Sequence, residues 1–160
     1  MNVEAPDPTY TRLVADADVL AADLLVGGPA REAIDTVRSH SWLELLATGP
    51  LLADAEAVVG TLADEEFAAE WRESIGGLVT LVEQPSGDHP ALAAAYRGDA
   101  GHLLSLDDRL LSARAGANLR GAMDVSVRSP EAFVSVFDPE TAYEVAFDDA
   151  YPGPDRDPRR

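Results

Sequence analysis

Short apolar segments alternate with helical segments along most of the chain, and this alternation limits the possible folds more than any other feature. The predicted strands are Arg12–Ala15, Trp42–Ala47, His102–Ser105 and Val125–Val127, while Leu78–Val82 fits either a strand or a helical turn. Apolar residues at helical spacing fill the intervals between them. Parallel strands need long crossover connections, which are usually helices. The pattern therefore predicts an α/β fold, a three-layer α/β/α sandwich with a central parallel sheet.

The chain is expected to form one domain between two loose ends. Its 160 residues suit a single hydrophobic core. Residues 1–10 carry prolines and no periodicity, which predicts a flexible N-terminal segment. Residues 148–160 are rich in Asp and Pro and have little to bury, which predicts a disordered tail. The single domain is thus expected at residues 11–147.

The charge of the chain limits the surfaces it can present. There are 29 acidic residues against 12 basic ones, all of them Arg, and the formal net charge is −17. This Lys-free acidic composition resembles that of proteins from salt-loving archaea, and it argues against a broad basic face for nucleic acid. No cysteine occurs, which excludes disulfides and thiolate metal sites, and the apolar runs are too short for a membrane span. We expect a cytoplasmic protein.

Acidic residues follow the predicted strands, at the position where parallel α/β sheets carry their active sites. Asp16 follows the first strand and Asp107 follows the "HLLS" strand, while Asp88 precedes an Ala-rich helix. Converging carboxylates repel one another, and a divalent cation such as Mg²⁺ or Mn²⁺, which prefers oxygen ligands, relieves that repulsion. The alternative is that each aspartate caps a helix, and Asp108 is the residue we expect to cap the helix after the "HLLS" strand.

These motifs resemble those of the PIN domain, a metal-dependent ribonuclease fold. The stretch "LVADADVLAADLL" resembles its first motif, a strand ending in Asp-x-Asn, with Asp16 as the acid and Asp18 in place of Asn. The stretch "HLLSLDDRLL" resembles its Thr-x-Asp-x-x-Leu-Leu motif, with Ser105 and Asp107 at the two polar positions. The acid that opens an Ala-rich helix in the family is matched by Asp88.

The resemblance spans residues 12–137 and implies an endoribonuclease that cleaves RNA phosphodiesters with Mg²⁺ or Mn²⁺. It implies the following site: Asp16, Asp88 and Asp107 bind metal, Asp54 or Glu56 completes the catalytic acids, Ser105 orients ligands or a phosphate, and Arg97 and Arg109 contact the RNA backbone. Proteins of the PIN family can also form homodimers or bind a cognate antitoxin, so the resemblance implies these two further kinds of partner.

One catalytic acid remains ambiguous. Asp54 and Glu56 lie about 160° apart on a helical wheel, so only one of them is expected to face Asp16. The family's usual Glu favours Glu56, whereas the apolar spacing that follows favours Asp54.

Two other functions also fit the sequence. Because Asp18 adds charge and the helical acid is ambiguous, the domain could be a catalytically inactive module that binds RNA or protein. A haloacid-dehalogenase-like phosphatase also opens with a strand and Asp-x-Asp and uses a later Asp pair. That class also needs a basic residue, usually Lys, and the chain has no Lys.

Overall fold

A parallel sheet is built from the short apolar segments. The computed structural model describes residues 11–83, 90–111 and 126–157. Its strands are β1 (Arg12–Ala15), β2 (Glu44–Ala47), β3 (Val79–Leu81), β4 (His102–Leu104) and β5 (Ser126–Arg128). They lie in the order β3-β2-β1-β4-β5, and every neighbouring pair is parallel. The predicted three-layer α/β/α fold with a central parallel sheet is confirmed.

Helices connect the strands and begin at recognisable caps. The helices are α1 (Ala17–Leu25), α2 (Gly28–Arg38), α3 (Gly49–Leu62), α4 (Glu65–Gly76), α5 (Pro90–Gly98), α6 (Asp108–Leu111), α7 (Pro130–Val136) and α8 (Pro139–Phe147). The side chains of Thr48, Asp64 and Ser129 accept hydrogen bonds from the first turns of α3, α4 and α7. None of the helices in the described ranges has the length and apolar character needed to cross a bilayer.

The strand boundaries differ from the sequence prediction by one or two residues: β4 ends at Leu104 rather than Ser105, and β5 ends at Arg128 rather than Val127. The segment at residues 78–82, which fitted either a strand or a helical turn, contains the strand β3. The strand predicted from Trp42 begins only at Glu44, because Ser41 and Trp42 form a turn. The Trp42 ring instead packs edge-on against His40 and Tyr143, with centroid distances of 5.5 and 5.2 Å.

The hydrophobic core lies on the central strands. Leu13, Val14, Leu45, Leu46 and Leu103 are each at most 2% exposed. Helix α5 packs against β1, β2 and β4. It approaches β2 closely at its last residue, Gly98, where an added Cβ would lie 2.1 Å from Leu46 Cδ1. A larger residue at this position would therefore force Leu46 or the helix to shift.

The C-terminal segment predicted to be disordered instead packs against the domain. The Tyr151 hydroxyl lies 2.6 Å from His40 Nε2. The Asp155 carboxylate accepts hydrogen bonds from the Ser41 hydroxyl and from its main-chain N–H at 2.8 Å. Arg156 donates to the His40 carbonyl at 3.1 Å. Composition alone does not indicate these contacts, because the hydrogen-bonded partners lie more than 100 residues apart in the sequence. The predicted flexible segment 1–10 lies outside the described residues.

Candidate functional site

The ends of β1 and β4 form the point where the chain's connections diverge. These strands are neighbours in the sheet, yet β1 leads to β2 on one side and β4 leads to β5 on the other. In open α/β sheets the crevice at such a switch point, outside the carboxyl ends of the strands, is the usual ligand site. Asp16 directly follows β1 and Ser105 directly follows β4, so polar residues occupy both sides of this crevice.

A hydrogen-bonded chain of polar groups joins the two strand ends. The Ser105 hydroxyl donates to Asp16 Oδ2 at 2.9 Å, and its oxygen accepts from the Asp107 N–H at 3.0 Å. Asp16 Oδ1 accepts from the N–H of Ala17 at 2.8 Å, which caps α1. Ser105 is fully buried and Asp16 is 8% exposed. The Asp16 carboxylate is therefore held in one orientation by both of its oxygens.

The carboxylate of Asp18 lies in the same crevice as that of Asp16. It accepts from the Leu106 N–H, which lies 3.3 Å from each carboxylate oxygen. Its pKa is raised above the usual value, first by burial, then by the negative charge of Asp16 and to a smaller extent by that of Asp107. The charges of Asp16 and Asp107 therefore both act on Asp18, and we call these three residues the acidic crevice.

The structure brings together three of the predicted site residues, namely Asp16, Ser105 and Asp107. The two candidates for the helical acid lie elsewhere on α3. The Asp54 side chain is exposed, and it has no hydrogen bond or ion pair with a described residue. Glu56 is half-buried and forms an ion pair with Arg72, at 3.2 Å. Neither contributes a described contact to the acidic crevice.

The remaining predicted residues divide into two groups. Asp88 lies outside the described residues, so its predicted role remains a prediction. Arg97 is exposed on α5, and Arg109 belongs to α6. The prediction that Asp108 caps α6 is wrong, because Asp108 is the first helical residue. The cap position falls on Asp107, whose carbonyl accepts from the N–H groups of Leu110 and Leu111 at 3.0 and 3.1 Å.

The acidic crevice has the donor chemistry of a site for a hard divalent cation. Each carboxylate oxygen has more than one lone pair, so an oxygen that accepts a hydrogen bond can still bind a cation. Within the described ranges, however, no three side chains of Asp, Glu, His or Cys are grouped so that they could hold a metal ion. The binding of Mg²⁺ or Mn²⁺ at the acidic crevice therefore remains a prediction, which rests on the oxygen ligands and on the mutual repulsion of the carboxylates.

An apolar groove runs beside the acidic crevice, between α1 and α3. Its volume is about 410 Å³, and Asp16 and Asp18 lie at one end of it. Leu25, Val26, Val58 and Leu62 are among the residues that line it. Val26 and Leu62 are 80% and 69% exposed, which is unusual for large apolar side chains that lie together. The carboxylates thus border a surface suited to an apolar partner or substrate group.

Sequence reasoning missed the part that Asp18 plays. The motif comparison gives it only as a substitution that adds charge, although the "DAD" stretch itself contains the signal. Because Asp16 is the cap of α1, Asp18 falls in the first helical turn, two residues further on. From there its carboxylate accepts the N–H of Leu106 in the loop after β4. This contact forms because β1 and β4 are neighbours in the sheet.

Comparison with known proteins corrects the family suggested by the motifs. No curated protein matches the sequence. The model of one family, described as "Family of unknown function (DUF7384)", matches residues 7–159, and the PIN domain gives no match. The resemblance to the PIN domain is therefore wrong, because acids at the ends of parallel strands are a general feature of α/β sites and do not identify one family. The match covers nearly the whole chain, including the packed C-terminal segment, and the chain belongs to the DUF7384 family.

Proposed function

We propose that the protein is a divalent-metal-dependent hydrolase of RNA phosphodiesters, with the acidic crevice as its active site. The observation that carries this proposal is the Ser105–Asp16 hydrogen bond of 2.9 Å, which fixes a buried carboxylate at the switch point of the sheet. The proposed setting is the cytoplasm.

The three aspartates have separate parts in this proposal. Asp16 and Asp107 would hold Mg²⁺ or Mn²⁺ together with Asp18, because the negative charges of the first two residues act on the Asp18 carboxylate. Such a cation supplies charge neutralisation and orientation for a phosphate group. Ser105 is a positioning residue, because its hydroxyl binds Asp16 and also accepts the N–H of Asp107. Preorganisation of this kind lowers the cost of assembling several carboxylates around one cation.

The charge of the protein sets the conditions under which RNA could bind. A formal charge of −17 repels a polyanion over long distances at low ionic strength. At about 1 M salt the Debye length falls to roughly 3 Å, and this repulsion acts only at close range. A substrate phosphate close to the crevice would then be attracted by the bound cation more strongly than it is repelled by the distant charges of the protein. High salt is therefore the condition in which the activity should be sought.

The direct test measures cleavage of a labelled single-stranded RNA with Mn²⁺ in about 2 M KCl. We expect Asp107→Asn and Asp16→Asn to lose activity by about 100-fold or more, since each removes a proposed ligand charge. Asp108→Asn is the matched control, because it removes the same charge from the adjacent, exposed position and should remain active. Chelation of the metal should abolish cleavage by the wild-type protein.

Equal cleavage by the wild-type protein and Asp107→Asn would contradict the proposal, as would the absence of cleavage of every RNA tried. A phosphomonoester offered in the same buffer separates a phosphatase from a nuclease, because only a phosphatase would release phosphate from it.

The second candidate is a catalytically inactive module that binds a partner through the apolar groove. The observation that favours it is the exposure of Val26 and Leu62 beside the crevice, since soluble proteins usually bury such clusters. Such a partner could be a second copy of the chain. A protein that binds RNA or associates with itself, yet cleaves nothing in the assay above, would support this candidate.

A further inference from the structure

A cavity beside the edge strand β5 is not used by the proposed function. Its volume is about 460 Å³, within the range of roughly 300–1,000 Å³ that is usual for small-molecule sites. Phe133, Phe137 and Val145 form apolar walls, and His102 and Arg128 line it from the sheet. The cavity therefore combines apolar surface with a single guanidinium group.

Arg128 differs from three other arginines of the described ranges, which each have a carboxylate partner. Arg12, Arg38 and Arg72 each lie within 4 Å of a carboxylate oxygen. Arg128 is half-buried, and its guanidinium has no ion pair or hydrogen bond with any described residue. An anion in the cavity would therefore supply the partner that this partly buried cation lacks.

The other polar side chains described at the cavity do not act as a partner for Arg128. The Asp138 carboxylate is engaged at the start of α8, where it accepts from the Thr141 hydroxyl at 2.7 Å and from the Glu140 N–H at 3.3 Å. His102 lies edge-on to Phe133 and Phe137, with centroid distances of 5.5 Å to each. Burial and then the neighbouring Arg128 lower the pKa of His102 to about 4, so its ring is neutral near pH 7.

The stacked rings provide the surface for an apolar body. Phe133 and Phe137 lie 4.7 Å apart, centroid to centroid, at an interplanar angle of 18°. Val145, which also lines the cavity, is 61% exposed, so the cavity opens to solvent. We propose that this cavity binds a small organic anion, whose carboxylate or phosphate group pairs with Arg128 and whose apolar body lies against Phe137 and Val145.

The test uses simple probes that differ only in charge. Benzoate and phenyl phosphate are titrated against the folded protein, with benzyl alcohol as the uncharged probe, and binding is followed by NMR shift changes. The titration is carried out at the lowest salt that keeps the protein folded, because salt screens the pair. We expect both anions to shift resonances of the cavity residues and to bind at least about tenfold more tightly than the alcohol.

Two variants make the test specific. Arg128→Gln should weaken anion binding by about tenfold or more, whereas Arg97→Gln, the same charge change at an exposed position on α5, should not. Val145→Trp, at an exposed position on the wall, should block all three probes without disturbing the core. Equal binding of benzoate and benzyl alcohol, equal effects of the two Arg→Gln variants, or no binding of any probe would each overturn the proposal.

Discussion

Asp16 shows how one side chain can serve both the fold and a site. Its Oδ1 caps α1, while its Oδ2 accepts the Ser105 hydroxyl and so ties β1 to the loop after β4. A substitution that kept one oxygen would retain the cap, and Asp16→Asn is such a change. The choice between a helix cap and a site residue is therefore not exclusive for this aspartate. At Asp107 it is the main-chain carbonyl, not the side chain, that starts α6.

The buried His102 ring predicts a pH dependence of stability. Its pKa in the folded protein is about 4, below the value of 6.5 in the unfolded chain. The unfolded chain therefore binds the extra proton first, and stability is lost as the pH falls from about 6.5 towards 4. His102→Phe keeps the ring contacts and removes this loss, which we expect to be about 1–3 kcal/mol. Denaturant unfolding of both proteins across this pH range measures the difference.

A second variant tests the cause of that shift. Arg128→Gln removes the neighbouring positive charge, so the pKa of His102 should rise towards its usual value and the loss should shrink. An NMR titration of the ring protons gives that pKa directly. If the wild-type protein and His102→Phe lose stability in parallel between pH 6.5 and pH 4, the ring is not the source.

At the scale of elements, the contact between α5 and β2 depends on a missing side chain. In Gly98→Ala the new methyl group would lie 2.1 Å from Leu46 Cδ1, and Leu46 is itself buried in the core. Leu46 must then change its rotamer or α5 must move, which we expect to cost about 1–3 kcal/mol. Gly76→Ala is the control, because Gly76 also ends a helix and its added Cβ would meet nothing within 4 Å. Equal stabilities of the two variants, measured by denaturant unfolding, would contradict this account.

The elements that could be predicted from the sequence are those defined by local pattern. Strand and helix alternation predicted the parallel sheet, and residues at the strand ends predicted the positions of Asp16 and Asp107 at one edge. The C-terminal elements carry no such pattern. Tyr143 on α8 and Tyr151 beyond it pack around Trp42 and His40, and only the tertiary structure brings them there. Likewise, the cavity at Arg128 forms between separate segments, and the hydrophobic periodicity within each segment does not indicate that they pack together.

At the scale of the whole molecule, nearly all the described acidic side chains lie at the surface. Among the described residues only two acidic side chains are buried, those of Asp16 and Asp23, and Asp23 lies 3.9 Å from Arg38. The other described acids face solvent at least in part, where they repel one another. Exposed like charges three or four residues apart on a helix are destabilising, and Glu66, Glu70 and Glu73 on α4 are spaced in this way.

This distribution predicts that salt stabilises the protein by screening. The Debye length falls from about 10 Å at 0.1 M to about 3 Å at 1 M, so most of the rise in Tm should come at the lower concentrations. Glu70→Gln removes two of the close repulsions on α4 and should raise stability at low salt by about 0.5 kcal/mol. That gain should vanish in concentrated KCl. A Tm that rises steadily to the highest KCl concentration, with the same difference between the two proteins throughout, would instead indicate a general effect of salt on burial.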